Sequence, residues 1–203
     1  MKILFLGDSI TQGVGASELK NCYVSLVKEK LGCEVINYGI SGTRIARQFI
    51  VSNAAPHDWD FQQRAFIMDK DADLVFVFGG TNDYGHGNAP IGEPTSHDPY
   101  SFCGGLNNLV EYLLETYGKE KLCFLLPLRR SDENKNGKHL IDYVECMRNI
   151  LTEKGVSYID FYKDGLSQPL TEKDEGYFRD GLHPNDQGHE WVADRICKYV
   201  RNF

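Results

Sequence analysis

Short apolar runs of strand length alternate with helical patterns along most of the chain. Each run is rich in Ile, Val or Phe and is bounded by Gly, Pro, Asp or Asn, which is typical of buried β-strands. The five runs occupy residues 3–6, 35–37, 74–78, 122–126 and 156–159. Between them, apolar residues recur at helical spacing, as in Leu106, Leu109, Val110 and Leu113. This alternation favours an α/β fold in which helices cover both faces of a five-stranded parallel sheet.

The length of the chain limits the number of its domains, and its charge limits the classes of partner it can bind. Its 203 residues contain no repeat or linker, so we expect a single domain over residues 1–203. The formal net charge of −7 repels phosphate backbones and anionic lipids, which argues against nucleic acid and membranes as partners. No apolar stretch approaches the roughly 18 residues of a membrane span, and the first run is too short for a signal-peptide core. We therefore expect a cytoplasmic protein, and its oligomeric state stays open.

The six cysteines are not spaced as pairs. No two lie close enough in sequence for a Cys-x-x-Cys motif, and several stand in apolar surroundings. In a reducing compartment we expect them to be small buried hydrophobic residues rather than disulfide partners. They are Cys22, Cys33, Cys103, Cys123, Cys146 and Cys197.

Polar and glycine-rich segments follow the first three predicted strands. Ligands bind open α/β sheets outside the carboxyl ends of the strands, at the point where the strand order reverses. With a flavodoxin-like order 2-1-3-4-5, these three segments become neighbours. Ser9 lies in the first segment, Gly42 in the second and Asn82 in the third. A hydroxyl, a glycine-rich turn and a carboxamide would then share one crevice.

A histidine late in the chain could activate the serine. A serine hydroxyl is a weak nucleophile until a base accepts its proton, and that base must be oriented by a third group. In a tight turn, Asp180 is close enough to accept the Nδ1–H of His183, which leaves Nε2 to face Ser9. An acyl-transfer transition state also needs donors for its oxyanion. The backbone N–H groups of Ser9 and Gly42 and the side-chain amide of Asn82 could supply them.

These segments resemble the SGNH/GDSL hydrolase superfamily, the GDSL-like lipases and acylhydrolases. Four short blocks characterise that family, and all four appear here in order, around Ser9, Gly42, Asn82 and the Asp180/His183 pair. The third block departs slightly, since one threonine lengthens the step from glycine to asparagine. The resemblance implies a three-layer α/β/α fold with a flavodoxin-like sheet. It also implies metal-independent hydrolysis of carboxylic esters, no cofactor, and the catalytic and oxyanion roles described above.

Other residues compete with Ser9 for the role of nucleophile. Ser41 also follows a strand, but it lies in Gly-x-Ser-Gly and not in the Gly-x-Ser-x-Gly elbow of α/β-hydrolases. We therefore assign Ser41 to the turn that presents Gly42. Neither Cys22 nor Cys33 follows a strand beside a histidine, and core packing accounts for them better.

Several side chains outside these blocks are of metal-ligand type, but none has the spacing of a zinc site. They are His57, Asp58, His86, His97 and Asp98. We predict no metal and interpret these groups as a polar rim of the pocket. A further histidine, His189, stands in the first turns of the last helical pattern, and we expect it to be exposed.

Two irregular segments, residues 84–100 and 161–185, are long for a compact domain, and such loops are often functional. The first directly follows Asn82, so we expect it to form one wall of the pocket. The candidates for substrate contact are Asp8, Tyr84, His86 and Arg130. Arg129 and Arg130 could recognise a polar part of the substrate. They could equally neutralise nearby carboxylates such as Asp132 and Glu133.

Three functions remain open at the level of the sequence. The first is hydrolysis of a small ester through an acyl-enzyme on Ser9. The second is acyl transfer, in which an alcohol replaces water, and the third is a non-catalytic ligand-binding module. The segment 84–100 is polar and rich in Gly and Pro, which suits a short acyl group on a hydrophilic alcohol, such as an acetylated carbohydrate.

Overall fold

A five-stranded parallel sheet forms the centre of the protein. The computed structural model describes residues 1–50, 58–135, 137–163 and 176–202. The strands are β1 (Lys2–Gly7), β2 (Glu34–Gly39), β3 (Leu74–Phe78), β4 (Leu122–Leu125), β5 (Asn134–Lys135), β6 (Lys138–His139) and β7 (Ser157–Ile159). The main sheet has the order β2-β1-β3-β4-β7, with every neighbouring pair parallel. The predicted flavodoxin-like order 2-1-3-4-5 is confirmed.

Helices cover both faces of this sheet. They are α1 (Ser9–Gln12), α2 (Tyr23–Leu31), α3 (Phe61–Ala65), α4 (Thr81–Gly85), α5 (Phe102–Tyr117), α6 (Leu140–Glu153) and α7 (Asp186–Arg201). Alternate side chains of a strand point to opposite faces. Leu4 and Leu6 of β1 therefore pack into a cluster with α3, α5 and α6, whereas Ile3 and Phe5 pack with α2 and α7. The three-layer α/β/α arrangement is confirmed. Among the described helices, none has the length and apolar character needed to cross a membrane.

The first three strands leave the sheet at the same level. Gly7, the last residue of β1, pairs with Gly39 at the end of β2 and with Phe78 at the end of β3. Because β1 lies between β2 and β3, the segments that follow these strands begin side by side. This edge is where the strand order reverses, which is the position that ligands occupy in open α/β sheets.

The β5–β6 hairpin was not predicted from the sequence. Each strand has two residues, and the pair Asn134–His139 and Lys135–Lys138 aligns antiparallel at the protein surface. A segment this short and polar has no apolar alternation from which a strand could be inferred.

The expectation for the cysteines is wrong at one pair. The structure joins Cys103 of α5 to Cys146 of α6 in a disulfide, with their Cα atoms 6.5 Å apart. The two helices pack against each other, so residues that are 43 positions apart in sequence come into contact. Sequence spacing cannot report such a non-local pair. The other four cysteines are free and buried, as predicted: Cys22, Cys33, Cys123 and Cys197.

The prediction for His189 is also wrong, because its side chain is fully buried. Its Nδ1 accepts a hydrogen bond from the backbone N–H of Tyr23 at 3.3 Å, and its Nε2–H donates to the carbonyl of Val14 at 3.3 Å. Burial lowers the pKa of His189 to about 4, so the ring is neutral at neutral pH. The side of α7 that carries His189 packs against α2, a contact that the helical pattern alone does not specify.

Candidate active site

Ser9 is the first residue of α1, directly after β1. The preceding Asp8 caps this short helix, and its Oδ1 accepts the backbone N–H of Ile10 at 3.0 Å. Asp8 is 1% exposed, and burial raises its pKa to about 7, against the lowering effects of the Ile10 hydrogen bond and of Arg64. In this position Asp8 orients the start of the helix that carries Ser9. Asp8 was predicted to contact substrate, and its side chain is buried and bonds to the main chain of the Ser9 helix.

The structure brings Ser9, His183 and Asp180 together in one hydrogen-bonded row. The Nε2 atom of His183 lies 3.0 Å from Ser9 Oγ, and its Nδ1 atom lies 2.7 Å from Asp180 Oδ2. Asp180 Oδ1 also accepts the backbone N–H groups of Leu182 and His183, at 3.0 and 2.7 Å. Partial burial raises the pKa of Asp180, but these hydrogen bonds outweigh it and leave the pKa below 3.8. An ionised Asp180 favours the tautomer of His183 with its free lone pair toward Ser9.

The turn that carries Asp180 and His183 is held by backbone hydrogen bonds. The N–H of Arg179 donates to the carbonyl of His183 at 2.8 Å, and Phe178 and Pro184 form an antiparallel bridge. The N–H of Ser131, in the segment after β4, donates to the carbonyl of Gly181 at 2.9 Å. The base therefore sits on a braced turn, although its loop is long in sequence. Residues 164–175 of that loop lie outside the described residues.

Gly15 allows the segment after α1 to pack directly against the base. Its φ is 101°, in the left-handed region that favours glycine. A Cβ atom there would lie 2.1 Å from the carbonyl oxygen of Pro184 and 3.0 Å from the Cβ of His183. Close by, Asp186 at the start of α7 accepts the N–H and the hydroxyl of Ser17, at 2.8 and 2.6 Å. Sequence reasoning missed these contacts, although a second glycine soon after the Ser9 helix was a signal.

The candidate oxyanion donors lie on two linked segments. Asn82, in the first turn of α4, is 4% exposed, and its Nδ2 donates to the carbonyl of Thr43 at 3.0 Å. Gly42 has φ 78°, and a Cβ atom there would meet nothing within 4 Å, so the backbone conformation is the reason for glycine. Among the described residues, no acceptor pairs with the backbone N–H groups of Ser9 and Gly42 or with the second amide hydrogen of Asn82. These donors are available to a ligand.

The buried side chain of Arg64, in α3, connects the ends of β1 and β2 by hydrogen bonds. It is 3% exposed, and its Nη1 donates to the carbonyl of Gly7 at 3.0 Å and to Thr43 Oγ1 at 2.7 Å. Its Nη2 donates to the carbonyl of Tyr38. Burial lowers the pKa of Arg64 to about 10, partly offset by Asp8, so the group remains charged at neutral pH. Nothing in the sequence singled out Arg64, because its partners are backbone carbonyls and a hydroxyl on distant segments.

Asp83 braces the glycine-rich segment against α4. Its two carboxylate oxygens accept the backbone N–H groups of Ile45 and Ala46, at 3.0 and 2.9 Å. It is 2% exposed, and burial raises its pKa to about 6, against the lowering effect of those two hydrogen bonds and of Arg44. The aspartate of the third block is therefore a structural residue in this fold.

Two of the residues predicted to contact substrate instead support α4 from within. Tyr84 is 2% exposed, and its hydroxyl donates to the carbonyl of Asp132. Arg130 donates to the carbonyl and the hydroxyl of Thr81, each at 3.2 Å, and to Asp132 Oδ1 at 2.5 Å. Its guanidinium also lies over the Tyr84 ring, 5.2 Å from the centroid.

Arg129 pairs with both carboxylate oxygens of Glu133, at 2.9 and 3.0 Å. For both arginines the geometry favours charge neutralisation within the protein.

His86 has a different position from these two. It follows α4 directly, and its ring contacts Asn82 and Arg44.

Ser41, the rival nucleophile, donates its backbone N–H to Gln12 Oε1 at 2.6 Å. The serine at hydrogen-bond distance from His183 is Ser9.

No group of three metal-ligating side chains occurs within the part of the chain that the structure describes. His97 pairs with Glu111 at 2.9 Å on the surface. His57, another candidate for the polar rim, lies outside the described residues.

Comparisons with known proteins identify similar chains over this whole fold. The family model of the GDSL-like lipase/acylhydrolase family matches residues 5–191. One solved structure is 31% identical, with a TM-score of 0.84 over 99% of this chain and 96% of that chain. A protein from Lactobacillus plantarum is 25% identical, with a TM-score of 0.84 over 99% and 96% of the two chains. The acetyl xylan esterase AlAXEase is 27% identical, with a TM-score of 0.72 over 98% and 100%. A comparison with curated proteins gave no match.

Proposed function

Since this chain belongs to the GDSL-like lipase/acylhydrolase family and is therefore an ester hydrolase, we propose that it works through an acyl-enzyme on Ser9. The observation that carries this proposal is the row from Ser9 Oγ to His183 Nε2 at 3.0 Å and from His183 Nδ1 to Asp180 at 2.7 Å. Nucleophile, base and orienting carboxylate stand within the distances that proton transfer requires.

Acylation begins when Ser9 Oγ attacks the carbonyl carbon of the ester. His183 Nε2 accepts the hydroxyl proton, and Asp180 stabilises the imidazolium that forms. The tetrahedral intermediate then collapses, the bond to the alcohol oxygen breaks, and the alcohol leaves with the proton from His183. Water attacks the acyl-enzyme in the same way. His183 accepts a proton from the water and returns it to Ser9 Oγ as the carboxylic acid departs.

The backbone N–H groups of Ser9 and Gly42 and the Nδ2–H of Asn82 donate to the oxyanion of both intermediates. The two backbone hydrogens and the second amide hydrogen of Asn82 have no acceptor among the described residues, so binding the oxyanion breaks no existing hydrogen bond. Removing one such donor typically lowers kcat by about 10²–10³. We expect Asn82→Ala to fall in this range.

The substrate we favour has a short acyl group on a hydrophilic alcohol. The segment after α4 that borders the site is polar, and residues 94 and 96 in it are tied to α5 by the side chain of Asn107, at 2.7 and 2.8 Å. A similar chain, 27% identical, is an acetyl xylan esterase. Acetylated carbohydrates are therefore the first class to test.

The test compares Ser9→Ala with Ser41→Ala in hydrolysis of p-nitrophenyl acetate. We expect Ser9→Ala to abolish turnover with an unchanged circular dichroism spectrum, and Ser41→Ala to retain turnover. Full activity in Ser9→Ala with loss in Ser41→Ala would refute the assignment. Aryl esters of increasing chain length and acetylated xylan oligomers then define the substrate, and a preference for long chains would overturn the short-acyl proposal. Acylated sugars formed in the presence of free sugars would indicate acyl transfer instead.

A further inference from the structure

We propose that His86 is a positioning residue, which orients and polarises the Asn82 carboxamide in the oxyanion hole, and that Arg44 sets the tautomer of His86. The inference rests on the proposed function, because it assigns a role in the same oxyanion hole. The two contacts are short and specific. His86 Nε2 lies 3.0 Å from Asn82 Oδ1, and Arg44 Nη1 lies 3.1 Å from His86 Nδ1.

Arg44, His86, Asn82 and the carbonyl of Thr43 form a row of hydrogen bonds, and the groups at its two ends determine the direction of every bond in it. A guanidinium has only donors, so Nδ1 of His86 must accept from Arg44. A neutral imidazole that accepts at Nδ1 carries its hydrogen on Nε2, which must donate to Asn82 Oδ1. At the other end, the carbonyl of Thr43 can only accept, so the amide nitrogen of Asn82 must face it. The positions of the oxygen and the nitrogen of the Asn82 carboxamide are thereby both determined.

His86 is well placed to hold Asn82 because the two residues lie one helical turn apart. Residues at positions i and i+4 share one face of a helix. The backbone N–H groups of His86 and Gly87 both donate to the carbonyl of Asn82, at 3.0 and 2.8 Å. The contact is therefore made by main chain and side chain together, and a rotation of the carboxamide would break bonds to both His86 and Thr43.

The row also strengthens the hydrogen-bond donor that faces the oxyanion. An amide whose oxygen accepts a hydrogen bond is more polarised, so its N–H groups become better donors. The row requires a neutral imidazole, because a protonated ring would present an N–H to the Arg44 guanidinium. Burial and the charges of Arg44, Arg130 and Lys135 all lower the pKa of His86 below 6.5, which keeps the ring neutral at neutral pH.

The alternative role for His86 is direct contact with substrate, as predicted from the sequence. The two roles differ in their kinetic signature. A residue that contacts substrate in both ground and transition states mainly changes KM, whereas one that acts through an oxyanion donor mainly changes kcat. A residue that acts only through Asn82 should also lose its effect once the Asn82 amide is absent.

The experiment is a double-mutant cycle with p-nitrophenyl acetate. We expect His86→Leu to lower kcat about tenfold with KM within about twofold, since one hydrogen bond to the donor is lost. His86→Gln, whose amide nitrogen can take the place of Nε2, should recover most of the loss. In the Asn82→Ala background, His86→Leu should have no further effect. His97→Leu is the matched control, because the structure places His97 on the surface, where its ring pairs with Glu111 of α5 and not with Asn82. It should leave kcat unchanged.

Any of three results with the His86→Leu variant would overturn the inference: an unchanged kcat, an equal loss of kcat in both backgrounds, or a raised KM with kcat retained. Thermal unfolding of each variant separates these outcomes from misfolding, and His86→Gln provides the test if His86→Leu is unstable. An Asn82→Ala variant with normal kcat would also overturn it, but would leave the Ser9 acyl-enzyme intact. Activity in Ser9→Ala, by contrast, would refute the proposed function itself.

Discussion

Replacing Arg64 by methionine should destabilise the protein markedly, although Arg64 does not contact the side chains of Ser9, His183 or Asp180. Methionine keeps most of the apolar volume, so the main loss is the guanidinium that donates to Gly7, Tyr38 and Thr43. The carbonyl of Gly7 keeps a second donor, the N–H of Ile40 at 3.1 Å. The carbonyl of Tyr38 and the hydroxyl of Thr43 each lose a charged donor, and each such loss costs about 1–3 kcal/mol. We therefore expect a loss of about 3 kcal/mol in the free energy of unfolding.

For a chain of this size, such a loss lowers Tm by roughly 6–12 °C. Urea unfolding followed by tryptophan fluorescence measures the free energy, and calorimetry measures Tm. Arg129→Met is the matched control, because Arg129 pairs with Glu133 at the surface, where an ion pair contributes about 1 kcal/mol or less. A loss in Arg64→Met no larger than in the control would refute the idea that Arg64 braces the site. We also expect a lower kcat in the folded variant, since the turn before Thr43 carries an oxyanion donor.

Three further substitutions test other parts of the structure. His189→Gln should remove one contribution to the pH dependence of stability: the pKa of His189 is lowered from 6.5 to about 4, so the unfolded chain binds the extra proton first. The contribution of His189 is therefore complete above pH 6.5 and falls by about 3 kcal/mol as pH drops to about 4. Because Asp8 and Asp83 have raised pKa values and titrate in the same range, the measurement is the difference in free energy of unfolding between wild type and His189→Gln, by urea unfolding at several pH values. Gly42→Ala should cost about 1 kcal/mol in unfolding, because the backbone is left-handed while the space is open. Gly15→Ala should lower kcat by on the order of tenfold to a hundredfold with short esters, since its Cβ would displace His183; an unchanged kcat would contradict this packing.

The central strands β1, β3 and β4 could be predicted from the sequence because they are buried on both faces. A fully buried strand such as Leu74–Phe78 is a continuous apolar run that glycine and aspartate interrupt on either side. The candidate site could be predicted for a related reason. Parallel strands deliver the segments that follow them to one edge, so the order of Ser9, Gly42 and Asn82 along the chain already implied their meeting.

The remaining features depend on contacts that leave no local pattern. Arg64 resembles any helical arginine until the carbonyls of two strand ends are brought to it. His189 looked exposed because a single histidine on a polar helix start does not reveal which side packs against a neighbour. The Cys103–Cys146 pair required the relative position of two helices that are distant in sequence. Tyr84 follows Asn82 closely along the chain and Arg130 follows β4, but the direction in which their side chains point depends on the packing around α4.

The measurement that tests the central claim most directly is covalent labelling by a fluorophosphonate. A fluorophosphonate phosphonylates a serine only where a base and an oxyanion hole activate it. The account predicts one adduct per chain by intact mass spectrometry, located by peptide mapping to Ser9 and absent from Ser9→Ala. A folded sample without an adduct, or with its adduct on Ser41, would contradict it.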